Sequence, residues 1–173
     1  MSQTPLKQEL MGMILEFYRL PDEKITELRN LPERSYTNYL QDNYASIFGS
    51  MHRENDTVFS LDKTWDVIRF LIVEADATVD KSLKELYGEP LTENYYDGYN
   101  YMFSDKVKII HGLLQAIQTK DLYSFFDDEK MERQSIYKAF GFHWSFLEAQ
   151  IEIVKAAFKK SANTDCGLII SIG

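Results

Sequence analysis

Cysteine is nearly missing from this sequence: Cys166 is the single one. That excludes an internal disulfide and any metal site built from several cysteines, and it accords with a reducing compartment such as the cytoplasm. Long hydrophobic runs are missing too. No apolar stretch approaches the ~18–20 residues of a membrane span, and the opening MSQTPLKQEL lacks the apolar centre of a signal peptide. Basic side chains are the scarcer charge, 19 against 27 acidic, for a net charge of −8. A nucleic-acid binder neutralises phosphates with a dense basic face. The densest basic spot here is Lys155, Lys159 and Lys160, near the end of a predicted helix, where positive charge complements the helix dipole. Chemical signatures are likewise absent. There is no G-x-S-x-G, no phosphate-cradling glycine loop, no EF-hand spacing and no H-E-x-x-H. The expectation is a soluble cytoplasmic protein with no cofactor, no metal, no nucleic acid and no membrane.

What is present is ample core material. At 173 residues with 45% apolar side chains, the chain fits one domain without a staple. Aromatics reach 14%, with 11 Phe, 11 Tyr and 2 Trp; a large core absorbs such rings, and a groove or contact surface is the other place for them. The most committed stretch is Ser60 to Val73, SLDKTWDVIRFLIV. Leu61, Trp65, Ile68 and Ile72 recur on one helical face, and Ser60 or Asp62 is placed to cap the first turn. This predicts the central core helix.

Residues 1–10 are polar and aperiodic and read as a leader, so the domain is expected over 11–173. Met13, Leu15 and Phe17 alternate with Ile14, Glu16 and Tyr18 as in a strand. DEKITELRN predicts a short helix with Ile25 and Leu28 inward, and Pro32 opens another through Tyr36, Tyr39, Leu40 and Tyr44 towards Gly49. GSMHREND is a polar loop. Leu83, Leu86 and Tyr87 form a helical patch that stops at Gly88 and Pro90. After the Asp97-Gly98 turn signal, Tyr99, Tyr101 and Phe103 alternate as a second strand.

Ser104 is placed to cap a helix whose stripe is Val107, Ile110, Leu114 and Ile117. Asp121 to Tyr137 reads as short helices with an acidic corner at Asp127, Asp128 and Glu129. From about Phe142 to Lys160, Trp144, Leu147, Ile151, Val154 and Phe158 form a core seam. GLIISIG closes the chain as a strand covered on both faces. The expected fold is therefore α+β, one compact and mostly helical domain. Its small sheet has about three short strands, including the N- and C-terminal ones.

Three stretches resemble the YfbM-like family of small bacterial proteins of unknown function. MGMILEFYRL resembles the family's opening into its first strand. SLDKTWDVIRFLI resembles its Leu-Asp-Lys-x-Trp helix, and the run from IYKAF through the long helix to GLIISIG resembles its ending. Together they span about Met11 to Gly173. Two positions depart from the pattern: Arg69 stands where the family usually carries a His four residues after the Trp, and Lys138 where a Pro often follows its Ile-Tyr pair. The resemblance implies a compact α+β domain and carries no activity.

Few residues point to chemistry. Cys166, just before a buried strand, reads as a small hydrophobe. His52 falls in a polar loop and His143 at a helix start, whereas His111 shares the apolar face of Val107, Ile110 and Leu114. Asp62 and Asp66 are one helical turn apart beside Trp65, with Arg69 in reach. One reading is a small enzyme using a carboxylate/His pair, Asp62 or Asp66 with His111, in a cleft beside Trp65. The preferred reading is a non-catalytic binding module for a protein with a basic surface, as toxin-neutralising immunity proteins are. It rests on the acidic balance and on Trp65, Arg69 and the tyrosines Tyr95, Tyr96, Tyr99 and Tyr101, since tyrosine pairs apolar area with a hydroxyl at binding surfaces.

Overall fold

The computed structural model describes residues 13–42, 58–93, 98–137 and 143–173. Its centre is β5 (Gly167–Ile172), the apolar run GLIISI, buried at all but one position. β5 sits between β1 (Leu15–Leu20) and β4 (Gly98–Met102), with β2 (Val58–Leu61) beyond β1 and the two-residue β3 (Glu89–Pro90) beyond β4. Every pairing in this five-stranded sheet is antiparallel. The α+β expectation holds, and the sheet is larger than the three strands expected. β2 was hidden in the supposed start of the central helix, and β3 carries too few residues to show a period.

That helix, α3 (Trp65–Ala75), begins at Trp65 rather than Ser60. Ser60 and Leu61 finish β2, and neither Ser60 nor Asp62 caps the helix: its N-cap position is Thr64, with no side-chain cap bond. The expected apolar stripe survives, because Leu61, Trp65, Ile68 and Ile72 are all buried in one core. A strand end and a helix start can contribute to the same core without sharing a period.

Alternation along the strands divides the sheet into two faces. The inner face presents Leu15, Phe17, Met102, Leu168, Ile170 and Ile172 to α3, to α4 (Ser104–Gln115) and to the long α6 (Trp144–Asn163). The seam Leu147, Ile151, Val154 and Phe158 is buried as expected, with Trp144 half-buried at its start. The outer face presents Leu20 and Ile169 to α1 (Asp22–Arg29) and α2 (Tyr36–Leu40), which add Ile25, Leu28, Tyr36 and Leu40. Gly167 admits α1: a Cβ there would lie 2.5 Å from Ile25 Cδ1 and 2.4 Å from the Met102 carbonyl oxygen.

A short 3-10 turn (Ser82–Glu85) buries Leu83, and Leu86 and Tyr87 follow it into the core. Another, Thr119–Phe125, leads to α5 (Asp128–Arg133), where Asp127 caps the first turn by accepting the Lys130 N–H. Ser104 does not cap its own helix. Its hydroxyl donates to Asp22 Oδ2 at 2.7 Å and its amide to Asp22 Oδ1 at 2.9 Å, which ties α4 to α1. No helix among the described residues is long and apolar enough to cross a membrane. The expected leader 1–10 and the loop with His52 lie outside the described residues.

Candidate functional site

Two regions gather the residues singled out from the sequence. The first surrounds Trp65 and is closed. The Trp65 side chain is fully buried, stacked on Tyr137 at 5.9 Å between centroids and edge-on to Tyr87 at 6.2 Å. The Tyr87 hydroxyl donates to the Trp65 carbonyl at 2.5 Å. Beside it, Asp66 is 1% exposed. Its Oδ1 accepts from Arg69 Nε and Nη2 at 2.9 and 2.7 Å, and its Oδ2 accepts the Tyr137 N–H at 2.8 Å. A buried carboxylate is tolerable only when matched in this way. Asp66 thus pins the segment after α5 to α3 and orders the tyrosine that stacks on Trp65.

The other proposed acid–base partners have contacts of their own. Asp62 is exposed on the turn between β2 and α3. Its amide donates to Gln150 Oε1, and its carboxylate accepts the Lys63 N–H. His111 is half-buried on α4, the neighbour of α6. Burial, then the charge of Lys159 on α6, holds its imidazolium below the ordinary histidine range. Cys166 is buried with its Sγ against the Thr164 carbonyl, and His143 is exposed at the start of α6. No group of three or more His, Cys, Asp or Glu side chains among the described residues could hold a metal ion.

The second region is the rim of the outer face. Register places Tyr18, Ile169, Tyr101 and Glu89 in one row across four strands. Ser60, Glu16, Ser171 and Tyr99 form the next row. Antiparallel neighbours opposite one another are about 4.5–5.5 Å apart, so these rows are contact rows. Three tyrosine hydroxyls there each donate to a carboxylate: Tyr18 to Glu16 at 2.7 Å, Tyr101 to Glu89 at 2.9 Å, and Tyr39 of α2 to Glu27 of α1 at 2.9 Å. Tyr36 meets Tyr99 edge-on at 5.7 Å, and the Tyr99 hydroxyl bonds the Thr37 hydroxyl at 2.7 Å.

The hydroxyls respond to these carboxylates. Burial, then the bond to Glu27 and its charge, pushes Tyr39 up to about 12. For Tyr18, burial and then Glu16 act in the same direction, well above the ordinary tyrosine value. For Tyr101 the bond to Glu89 is the leading cause and burial the second. Above Tyr101 lies a cation. The Arg29 guanidinium, at the end of α1, is 4.4 Å from the Tyr101 centroid and 5.6 Å from that of Phe103.

Of the tyrosines named from the sequence, Tyr99 and Tyr101 belong to this rim, while Tyr95 and Tyr96 lie outside the described residues, as does Lys138. Trp65 and Arg69 are not part of it. The glutamates were missed, because only Glu16 and Tyr18 are near enough in sequence, two apart on one strand face, to announce their pairing.

The fold is similar to that of the crystal structure of YfbM from Escherichia coli, described as a protein of unknown function. The TM-score is 0.60 at 16% identity, covering 92% of this chain and 99% of that one. No curated protein matches the chain. Residues 11–171 match the family described as Domain of unknown function (DUF1877). The chain belongs to that family, and its fold is the YfbM fold.

Proposed function

We propose that this protein is a non-catalytic binding module whose outer sheet rim receives a basic segment of a protein partner. The observation that carries the reading is the set of three tyrosine–glutamate pairs, Tyr18–Glu16, Tyr39–Glu27 and Tyr101–Glu89, on one side of the sheet. A hydroxyl that donates to a carboxylate fixes that acid beside an aromatic ring. Ring and carboxylate together suit lysine and arginine, through cation–π contact and charge-assisted hydrogen bonds. The net charge of −8 adds long-range attraction for such a partner. A toxin-neutralising immunity protein would use a surface of this kind.

The acid–base alternative has less support. Both oxygens of Asp66 are engaged, Trp65 is fully buried, and Asp62 meets Gln150 of α6 while His111 feels Lys159, nine residues further along that helix. The deciding experiment is capture of partners from native lysate at low and high salt, with the wild type beside a Glu16→Gln/Glu27→Gln/Glu89→Gln variant. Glutamine keeps an acceptor for each tyrosine and removes the charge. A stoichiometric basic partner, released by salt and lost from the variant, is the expected result. Equal capture by both proteins would sink the reading.

A further inference from the structure

The rim of the outer face already carries cations of its own, and both come from α1. Lys24 Nζ lies 2.9 Å from Glu27 Oε2 and 3.0 Å from Oε1, so the carboxylate that receives the Tyr39 hydroxyl is ion-paired as well. Lys24, then Tyr39, holds the Glu27 carboxyl below the ordinary glutamate range. Further along the helix, the Arg29 guanidinium covers the ring of Tyr101, the tyrosine bonded to Glu89. It also reaches Phe103, which meets Tyr101 edge-on at 5.5 Å. Two of the three tyrosine–glutamate pairs thus hold a resident cation. The third, Tyr18–Glu16 on β1, differs: Glu16 forms no ion pair among the described residues.

Neither resident is held firmly. Arg29 is exposed, and among the described residues its side chain has the two ring contacts but no hydrogen bond or ion pair. Lys24 and Glu27 are an i,i+3 pair with both side chains about half exposed. An exposed ion pair, or an exposed cation–π contact, favours the resident by about fivefold at most. An ammonium on a carboxylate and a guanidinium over a ring are also the contacts a basic segment would make there. Any such segment must therefore replace them.

We propose that Lys24 and Arg29 are built-in competitors: α1 occupies two of the rim's three tyrosine–glutamate pairs, and a basic segment enters at Tyr18–Glu16 and displaces the α1 cations to seat at the other two. This rests on the binding reading above and adds how the rim is restrained. A lone cation gains little by replacing another. A segment with several cations exchanges at more than one pair within a single binding event, so the restraint selects for clustered basic residues.

The test is an amide-resolved NMR titration of the full chain with an acetylated tetra-arginine peptide, at about 0.15 M salt, where distant charges are screened. Wild type is compared with Lys24→Ala/Arg29→Ala and with a charge-matched control, Lys63→Ala/Lys120→Ala. Lys63, on the turn before α3, and Lys120, in the 3-10 turn before α5, are both exposed. In the wild type the Glu16 and Tyr18 amides are expected to shift at lower peptide concentration than those of Tyr101 and Phe103. The α1 variant should bind about three- to tenfold more tightly, with all four amides shifting together, and the control should match the wild type. Equal tightening in the two variants would reduce the effect to net charge and overturn the competition. An unchanged affinity in the α1 variant would overturn it too, and in both cases binding at the rim survives. If the peptide moves no rim amide in any of the three proteins, the binding reading falls and the competition with it.

Discussion

The two faces of the sheet handle aromatic side chains in opposite ways. On the inner face Trp65, Tyr87, Phe17 and Phe158 are fully buried and held by one another, with Phe17 tilted against Tyr87 and edge-on to Phe158, each at 6.0 Å. The polar atoms they bring are turned inward too, as with the Tyr87 hydroxyl on the Trp65 carbonyl. On the outer face Tyr18, Tyr39 and Tyr101 stay half-buried and send their hydroxyls out to glutamates. The inner face uses aromatics as volume; the outer face uses them as supports for charge. The difference teaches that aromatic richness alone does not locate a site. What matters is whether the polar end of each ring is satisfied inside the core or by an ionised group at the rim.

The largest break in this contrast is expected from Trp65→Ala. Emptying the centre of the inner face should cost about 3–5 kcal/mol, read by urea unfolding. A loss below about 1 kcal/mol would mean that the inner face is not built around Trp65. Asp66→Asn comes next. It keeps the shape and removes the charge facing Arg69, so a loss of about 1–3 kcal/mol is expected, together with faster hydrogen exchange at the Tyr137 amide. Unchanged exchange at Tyr137 would show that the carboxylate does not pin that segment.

The outer face should be far more tolerant. Arg29→Ala removes an exposed cation–π contact and is expected to cost under about 1 kcal/mol in the same unfolding measurement. The smallest effect at neutral pH belongs to Glu89→Gln, whose signature is a titration. A hydroxyl whose folded-state pKa is raised contributes stability that is fully present below its unfolded value, about 10. That stability is lost as pH rises through the folded value. Because the bond to Glu89 is the leading cause of the rise at Tyr101, the variant's Tyr101 should ionise at lower pH by ultraviolet titration. Its alkaline loss of stability should shrink correspondingly. An identical tyrosine titration in both proteins would argue against the pairing.

Legibility in the sequence followed the range of the interactions. β5 could be read because six nearly all-apolar residues between a turn and a glycine need no partner to reveal them. α1, α4 and α6 showed their buried stripes for the same reason: a helix carries its period within itself. β2 could not be read, since Leu61 stands four residues before Trp65 and mimics the helix spacing. The Ser104 cap was misplaced because Asp22, 82 positions away, takes its hydroxyl. The rim was half legible. Tyr99 and Tyr101 announced it, but Glu27 and Glu89 become partners only after α1 meets α2 and β3 meets β4.

The position of β5 also bears on how the protein is made. The strand that every other described strand ultimately leans on is the last of the five to be synthesised, and it pairs with β1 from far along the sequence. Until β5 is made, β1 has no β5 to pair with, and the apolar side of α4 lacks its strand floor. Such distant pairing folds slowly and leaves sticky surface exposed meanwhile. A chain interrupted anywhere before β5 would therefore have its helices written and its sheet unable to close.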